Sequence, residues 1–239
     1  MPPTTKATPQ PSNYTIDVLI PAFNEENAVG KVIRDIPSWV RHVVVVNNNS
    51  NDQTKEVAQE AGAIVLDEPQ KGYGKACLTG IDYLSGLATP PDILVFLDAD
   101  YSDYPEQMED LIMPIIAEGY DMVIGSRALG NREGGSMTLP QVFGNWLATN
   151  LMRKIYKTTY TDLGPFRAIR WHKLLELGMA DENYGWTIEM QIKAAKLGMK
   201  TTEVPVNYRK RIGVSKVSGT VKGVFGAGWK ILWTIWRWR

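Results

Sequence analysis

Hydrophobic and polar positions follow a repeating order through the first half of the chain. Short β-rich runs at Ile16–Pro21, His42–Asn47, Ala63–Leu66, Ile93–Leu97 and Met122–Gly125 alternate with stretches of helical spacing. The helical stretches are Asn27–Ile36, Asp52–Ala61, Gly74–Leu84 and Pro105–Glu118. Val43–Val46 and Ile93–Leu97 are continuously apolar instead of alternating, as expected of strands covered on both faces. Strand and helix alternating in short units predict an α/β fold with a mostly parallel sheet flanked by helices. Ligands of such sheets sit beyond the carboxyl ends of the strands, so the residues that follow each run are the place to look for chemistry.

Those residues are polar and varied. Pro21-Ala22-Phe23-Asn24-Glu25 follows the first strand, and Asn47-Asn48-Asn49 ends the second. The third leads to Lys71-Gly72-Tyr73-Gly74-Lys75, the fourth ends in Asp98-Ala99-Asp100, and the fifth in Gly125-Ser126-Arg127. Two carboxylates one residue apart at a strand end can turn toward one hard divalent cation, Mg²⁺ or Mn²⁺. The plain alternative is a helix cap, a role to which Asp103 is nearer. The glycine-rich turn is not a dinucleotide fingerprint, because Cys77 stands where the third glycine belongs. It can still offer backbone N–H groups to an anion beside Lys71 and Lys75, or serve only as a turn. The asparagine amides can read a nucleobase edge, or else cap the following helix.

Composition and charge narrow the classes. Lysine plus arginine equal aspartate plus glutamate at 26 each, which does not describe a nucleic-acid binder. The charge is uneven, however: the segment from Val204 to Arg239 carries eight basic residues and no acidic one. A single cysteine excludes an intramolecular disulfide and fits a reducing compartment. Two histidines cannot build a His-rich zinc site unaided. Residues 1–13, rich in Pro, Thr, Ser and Gln, read as a disordered leader, followed by one α/β domain over 14–220. No apolar run is long enough to span a bilayer. Residues 221–239 form an amphipathic helix with Val221, Val224, Phe225, Gly228, Ile231, Leu232, Ile235 and Trp236 on one face. Such a helix packs on the sheet, packs on a second subunit of a homo-oligomer, or lies at a membrane surface. Trp233 and Trp238, off the main apolar face, favour the bilayer interface.

In order and spacing, Pro21–Glu25, Asn47–Thr54, Asp98-Ala99-Asp100 and Gly125-Ser126-Arg127 resemble the family 2 glycosyltransferases of the GT-A (Rossmann-like) fold. Asp162–Arg167, Gly185–Glu189 and Arg211–Lys216 resemble, more narrowly, the dolichyl- and polyprenyl-phosphate mannose or glucose synthases. The resemblance implies a metal-dependent, inverting hexosyltransferase that takes a UDP- or GDP-hexose as donor and polyprenyl phosphate as acceptor. Such an enzyme would be cytoplasmic and peripheral on the inner face of the membrane. The resemblance places Pro21, Ala22, Asn24 and Glu25 around the nucleotide sugar, and Asn47, Asn48, Lys71, Gly74 and Ala99 at the neighbouring strand ends are expected to join them. Asp98 and Asp100 become metal and diphosphate ligands, with Ser102 or Asp103 assisting. Arg127 would face the acceptor phosphate, and Arg211, Ser215 and Lys216 would lie on a segment that closes over the phosphates; Arg167 is a further candidate cation for holding the acceptor. The family pattern has Asp-Asp-Gly where this chain has Asn47-Asn48-Asn49, which alters the base contact. Related synthases carry Arg and Ser on the helix after the Gly-Ser-Arg strand, where this chain reads Leu139-Pro140-Gln141-Val142-Phe143-Gly144-Asn145.

A phosphate acceptor is ionised near neutral pH and needs no strong base. The alternative, a soluble hydroxyl or glycan acceptor on the same fold, requires one, and Glu189 and Asp162 are the candidates.

Overall fold

A computed structural model describes residues 10–213 and 221–239, the side chains of 221–225 and 227 excepted. The expected strands form at β1 (Ile16–Ala22), β2 (His42–Asn47), β3 (Ile64–Asp67), β4 (Ile93–Phe96) and β5 (Met122–Ser126). Between them lie α1 (Val29–Asp35), α2 (Thr54–Glu60), α3 (Tyr73–Ser85) and α4 (Met108–Glu118), the last entered through a 3₁₀ turn at Pro105–Gln107. The second half adds α5 (Leu139–Tyr156), β6 (Arg167–Arg170), α6 (Trp171–Leu177), α7 (Trp186–Lys196), β7 (Thr201–Pro205) and α8 (Val221–Arg237). Residues 1–9 of the expected leader lie outside the described residues. The leader reading does not extend to its last residues, because Pro11–Asn13 form a 3₁₀ turn with Pro11 buried.

The seven strands make one sheet in the order β3-β2-β1-β4-β6-β5-β7. All pairings are parallel except those of β6, which runs antiparallel between β4 and β5. Every residue of β1 is buried, and its side chains serve two cores. Leu19 faces α3 with Val44, Val46 and Phe96, while Ile16, Val18 and Ile20 face the α1 and α4 side. Each fully buried aliphatic side chain contributes roughly 1.5–3 kcal/mol, so this strand anchors both layers. Its one charge, Asp17, is fully buried and offset by Arg41, which donates to both carboxylate oxygens at 2.6 and 3.0 Å.

α5 opens with a reciprocal capping box between Thr138 and Gln141. α8 packs along α5 and α7: Ile235 is buried, the Tyr156 hydroxyl donates to the Ile235 carbonyl, and Lys230 pairs with Asp181 at 2.8 Å. The single apolar face expected for this helix is therefore divided. Ile231 and Ile235 turn inward, whereas Leu232 and Trp236 remain exposed, as does Trp229 off that face; Trp238, expected at a bilayer interface, packs partly buried against the core instead. Among the described residues no helix is long and apolar enough to cross a membrane.

Candidate active site

From β1 the chain continues to β2 on one side of the sheet, while β4 lies on the other. That reversal of strand order opens a crevice beyond the carboxyl ends of β1 and β4. Its volume is about 340 Å³, and Pro21, Ala22, Phe23, Glu25, Asn48, Lys71, Asp98, Ala99, Asp100 and Arg211 line it. Nine of these ten were expected from sequence; Phe23 was not assigned a role, nor were Tyr73, Asn183 and Tyr184, which with Gly72 and Ala76 complete the wall.

The electrostatics centre on the end of β4. Asp98 accepts from the Tyr73 hydroxyl at 3.0 Å. Burial, followed by the neighbouring Asp100 charge, pushes its carboxyl up to about 6. Asp100 accepts from the Ser102 amide at 2.9 Å and from the Ser102 hydroxyl. Arg211 bridges the crevice, 2.5 Å from Glu25 Oε1 and 3.1 Å from Asp100 Oδ2. It is aimed there by a strap: Arg209 N–H donates to Ser102 O, Ile212 N–H donates to Asp100 O, and the Arg209 guanidinium stacks 3.4 Å from the Tyr101 ring centroid. Asp103, beneath the pair, has both carboxylate oxygens buried without a partner among the described residues, and burial with the Asp98 charge holds its pKa well up.

Asp98 and Asp100 are the residues that could hold a divalent cation. Among the described residues no group of three or more His, Cys, Asp or Glu forms a ready-made cage. Two carboxylates suit Mg²⁺ when substrate phosphates complete its shell. The donor set fits, since an added cation would relieve the repulsion that raises Asp98. Arg211 Nε is buried without a partner among the described residues, leaving one N–H for an anion.

Several expected contacts belong to the frame around the crevice. Asn24, at φ 55°, accepts from Asn51 N–H at 2.8 Å and ties the β1 and β2 loops together. Asn47 donates to Asp67 and accepts from Ser50 N–H, and it does not line the crevice. Gly74 does not line it either. A Cβ there would lie 1.9 Å from the Asp181 carbonyl, and one on Gly72 would lie 2.2 Å from that of Glu182. These glycines let the 181–183 segment seat against α3, and Lys75 N–H donates to Glu182 O instead of an anion. The glycines themselves were the sequence signal for that close approach.

The basic residues assigned to the acceptor need correction. Arg167 is buried and donates to the carbonyls of Leu163, Gly164 and Thr187; burial lowers its pKa to about 10. It holds the turn before β6 and is withdrawn from the phosphate-binding set. Arg127 is largely buried against Asp162, with Nε and Nη2 each 2.8 Å from a carboxylate oxygen, and its guanidinium lies over the Tyr208 ring. Arg132 and Arg153 line a second cavity of about 280 Å³ on that side, with Trp146, Asn145 and Thr149. Glu189 is also structural: it pairs with Lys193 at 2.7 Å and accepts from the amides of Ala180 and Asp181. Ser215 and Lys216 lie outside the described residues.

The architecture is that of the GT-A fold. The model of glycosyl transferase family 2 matches residues 17–178, and the chain belongs to that family. An uncharacterised glycosyltransferase of Mycobacterium tuberculosis is 33% identical over 91% of this chain and 97% of its own length. The dolichyl-phosphate hexose transferase of Haloferax volcanii is 32% identical over 86% and 89% of the two chains. The polyprenol monophosphomannose synthase of Mycolicibacterium smegmatis is 31% identical over 90% and 84%. Among solved structures, M. tuberculosis glucosyl-3-phosphoglycerate synthase, with Mn²⁺, UDP and glucosyl-3-phosphoglycerate, superposes with a TM-score of 0.74 at 22% identity, covering 95% of this chain and 80% of its own.

Proposed function

We propose that this glycosyltransferase moves a hexose, with inversion, from a UDP- or GDP-linked donor to a polyprenyl (dolichyl-type) phosphate at the cytoplasmic face of the membrane. One observation carries the acceptor: the two carboxylates that the sequence nominates as a base for a hydroxyl, Asp162 and Glu189, are committed to buried ion pairs. An acceptor that arrives already ionised needs neither. The names of the Haloferax and Mycolicibacterium relatives support a lipid phosphate. The UDP and Mn²⁺ of the structural relative support the donor and the cation.

In this reading Pro21, Ala22, Asn48 and Lys71 hold the nucleotide, and Glu25 and Asn24 fix the loop that carries it. Asp98 and Asp100 hold Mg²⁺ or Mn²⁺, which supplies neutralisation of the departing diphosphate. Arg211 turns its unpartnered N–H to a phosphate oxygen, and Ser215 and Lys216 follow it on the same segment. Arg132 and Arg153 receive the acceptor phosphate, beside a prenyl chain lying along the exposed Phe143 and Trp146 of α5. Trp229, Leu232 and Trp236 of α8 rest on the lipid surface.

A panel of UDP- and GDP-hexoses with Mn²⁺ or Mg²⁺, each with and without a short polyprenyl phosphate and read by product mass, tests the proposal. Glycosylated lipid phosphate is expected only when cation, donor and lipid are all present. Equal turnover onto a soluble hydroxyl without lipid would overturn the acceptor.

A further inference from the structure

Both oxygens of Asp100 are engaged by the chain itself. Oδ1 accepts from the amide and the hydroxyl of Ser102, and Oδ2 lies 3.1 Å from Arg211 Nη1. A cation that reaches Asp100 from the crevice therefore meets a guanidinium on the oxygen that Ser102 leaves open. The other arm of Arg211 is 2.5 Å from Glu25 Oε1, so one positive charge serves two carboxylates of the wall. The backbone on either side is bolted down: Lys210 N–H donates to Glu133 Oε2 and Ile212 N–H to Asp100 O, each at 2.9 Å. What is left to move is the side chain. Its two ion pairs use Nη1 and Nη2, while Nε is buried without a partner among the described residues. Nε with one Nη is the fork by which arginine grips a phosphate through two parallel bonds. The edge suited to an anion is thus the one the present pairing leaves unused.

We propose that Arg211 is a resident counter-ion that competes with the divalent cation for Asp100 and gives that carboxylate up only in exchange for a phosphate. The guanidinium holds Glu25 and Asp100 until a nucleoside diphosphate offers it new oxygens. The cation then binds well together with the nucleotide and poorly by itself. By reciprocity, whatever the diphosphate does for the cation through Arg211, the cation does for the diphosphate. This rests on the reading of Asp98 and Asp100 as cation ligands and goes beyond it, because it gives Arg211 a role against the bare cation as well as one toward the phosphate. An arginine that only assisted the phosphate from a fixed position would repel the cation equally with and without nucleotide; one that exchanges repels it only without.

Mn²⁺ binding to the full chain, read from the loss of the free ion's paramagnetic resonance signal, tests this with and without saturating UDP or GDP. Without nucleotide, R211M is expected to bind Mn²⁺ at least about tenfold tighter than wild type, the effect of removing one charge at this range. With nucleotide, the two should agree within about threefold, because Arg211 has by then left Asp100. R211K keeps the charge and should bind the bare ion as wild type does. If R211M fails to fold, R211Q, which keeps an amide for Glu25, replaces it. If neither folds, the unaltered chain decides: saturating Mg²⁺ alone should move the arginine Nε–H resonance that R211K lacks. No tightening without nucleotide, equal tightening with and without it, R211K as tight as R211M, or a resonance that Mg²⁺ leaves in place would overturn the exchange and leave the cation reading standing. D100N binding Mn²⁺ as well as wild type, or no Mn²⁺ binding by any form with either nucleotide, would overturn both.

Discussion

The acceptor chemistry turns on whether Asp162 is a base or a structural counter-ion, and D162N separates the two. The substitution preserves size and an acceptor oxygen for the Arg127 backbone N–H, 2.8 Å away, so the change is the loss of one negative charge. Asp162 is almost fully buried and Arg127 nearly so. Removing one partner of such a pair leaves a buried guanidinium uncompensated, at a cost of about 3–5 kcal/mol. For a chain of this size that corresponds to a fall in melting temperature of roughly 6–20 °C. The pH dependence has a definite sign. The Arg127 charge and hydrogen bonds outweigh burial and hold the Asp162 carboxyl below its ordinary value. Its contribution is therefore present above about pH 4 and is lost as pH falls through the lowered pKa. Thermal melts of wild type and D162N should differ fully at pH 7 and converge in strong acid. Adding R127M should recover much of the loss, since the orphaned charge leaves with it. A D162N protein that melts within about 2 °C of wild type at pH 7, yet has lost all transfer, would refute the counter-ion role and restore Asp162 as a base.

Two further outcomes follow from the same geometry. Asp98, raised to about 6, has the opposite sign: its ionisation costs stability as pH rises from about 4 to 6. In metal-free buffer, D98N should therefore be more stable than wild type at pH 7.5, with the advantage lost by pH 3.5, while transfer is abolished. Equal melts across that range would sink the expectation. Replacing Trp229 and Trp236, which are 72% and 71% exposed, with serine should reduce sedimentation with anionic vesicles and leave the melting temperature within about 2 °C, because neither ring is packed. Unchanged sedimentation would argue against membrane docking through this helix.

Much of the donor half was legible from the chain, since continuous apolar runs such as Val43–Val46 and Ile93–Leu97 have few alternatives to a covered parallel strand. The ends of those runs then located the crevice. The second half was not legible in the same way. β6 has only four residues, two of them arginines, and its antiparallel direction depends on tertiary pairing with β4 and β5. Arg167 looked like a phosphate ligand because a sequence shows a cation without showing the carbonyls that surround it. The departure at Asn47–Asn49 acquires a local cause. A carboxylate at position 48 would oppose the carbonyls of Glu68 and Gln70, so the amide is what this turn accommodates. Phe23, Arg132 and Arg153 carried no periodic signal, and only folding gathered them.

β6 has a further consequence. Because it enters the sheet from the rim that β4 and β5 leave by, it acts as a partition: Pro21 to Asp100 furnish most of one chamber, which Asn183, Tyr184 and Arg211 close, while residues between 128 and 162 furnish the other. Mutational drift on the far side of that partition need not disturb the near one. A lineage could then exchange what it glycosylates while keeping what it glycosylates with.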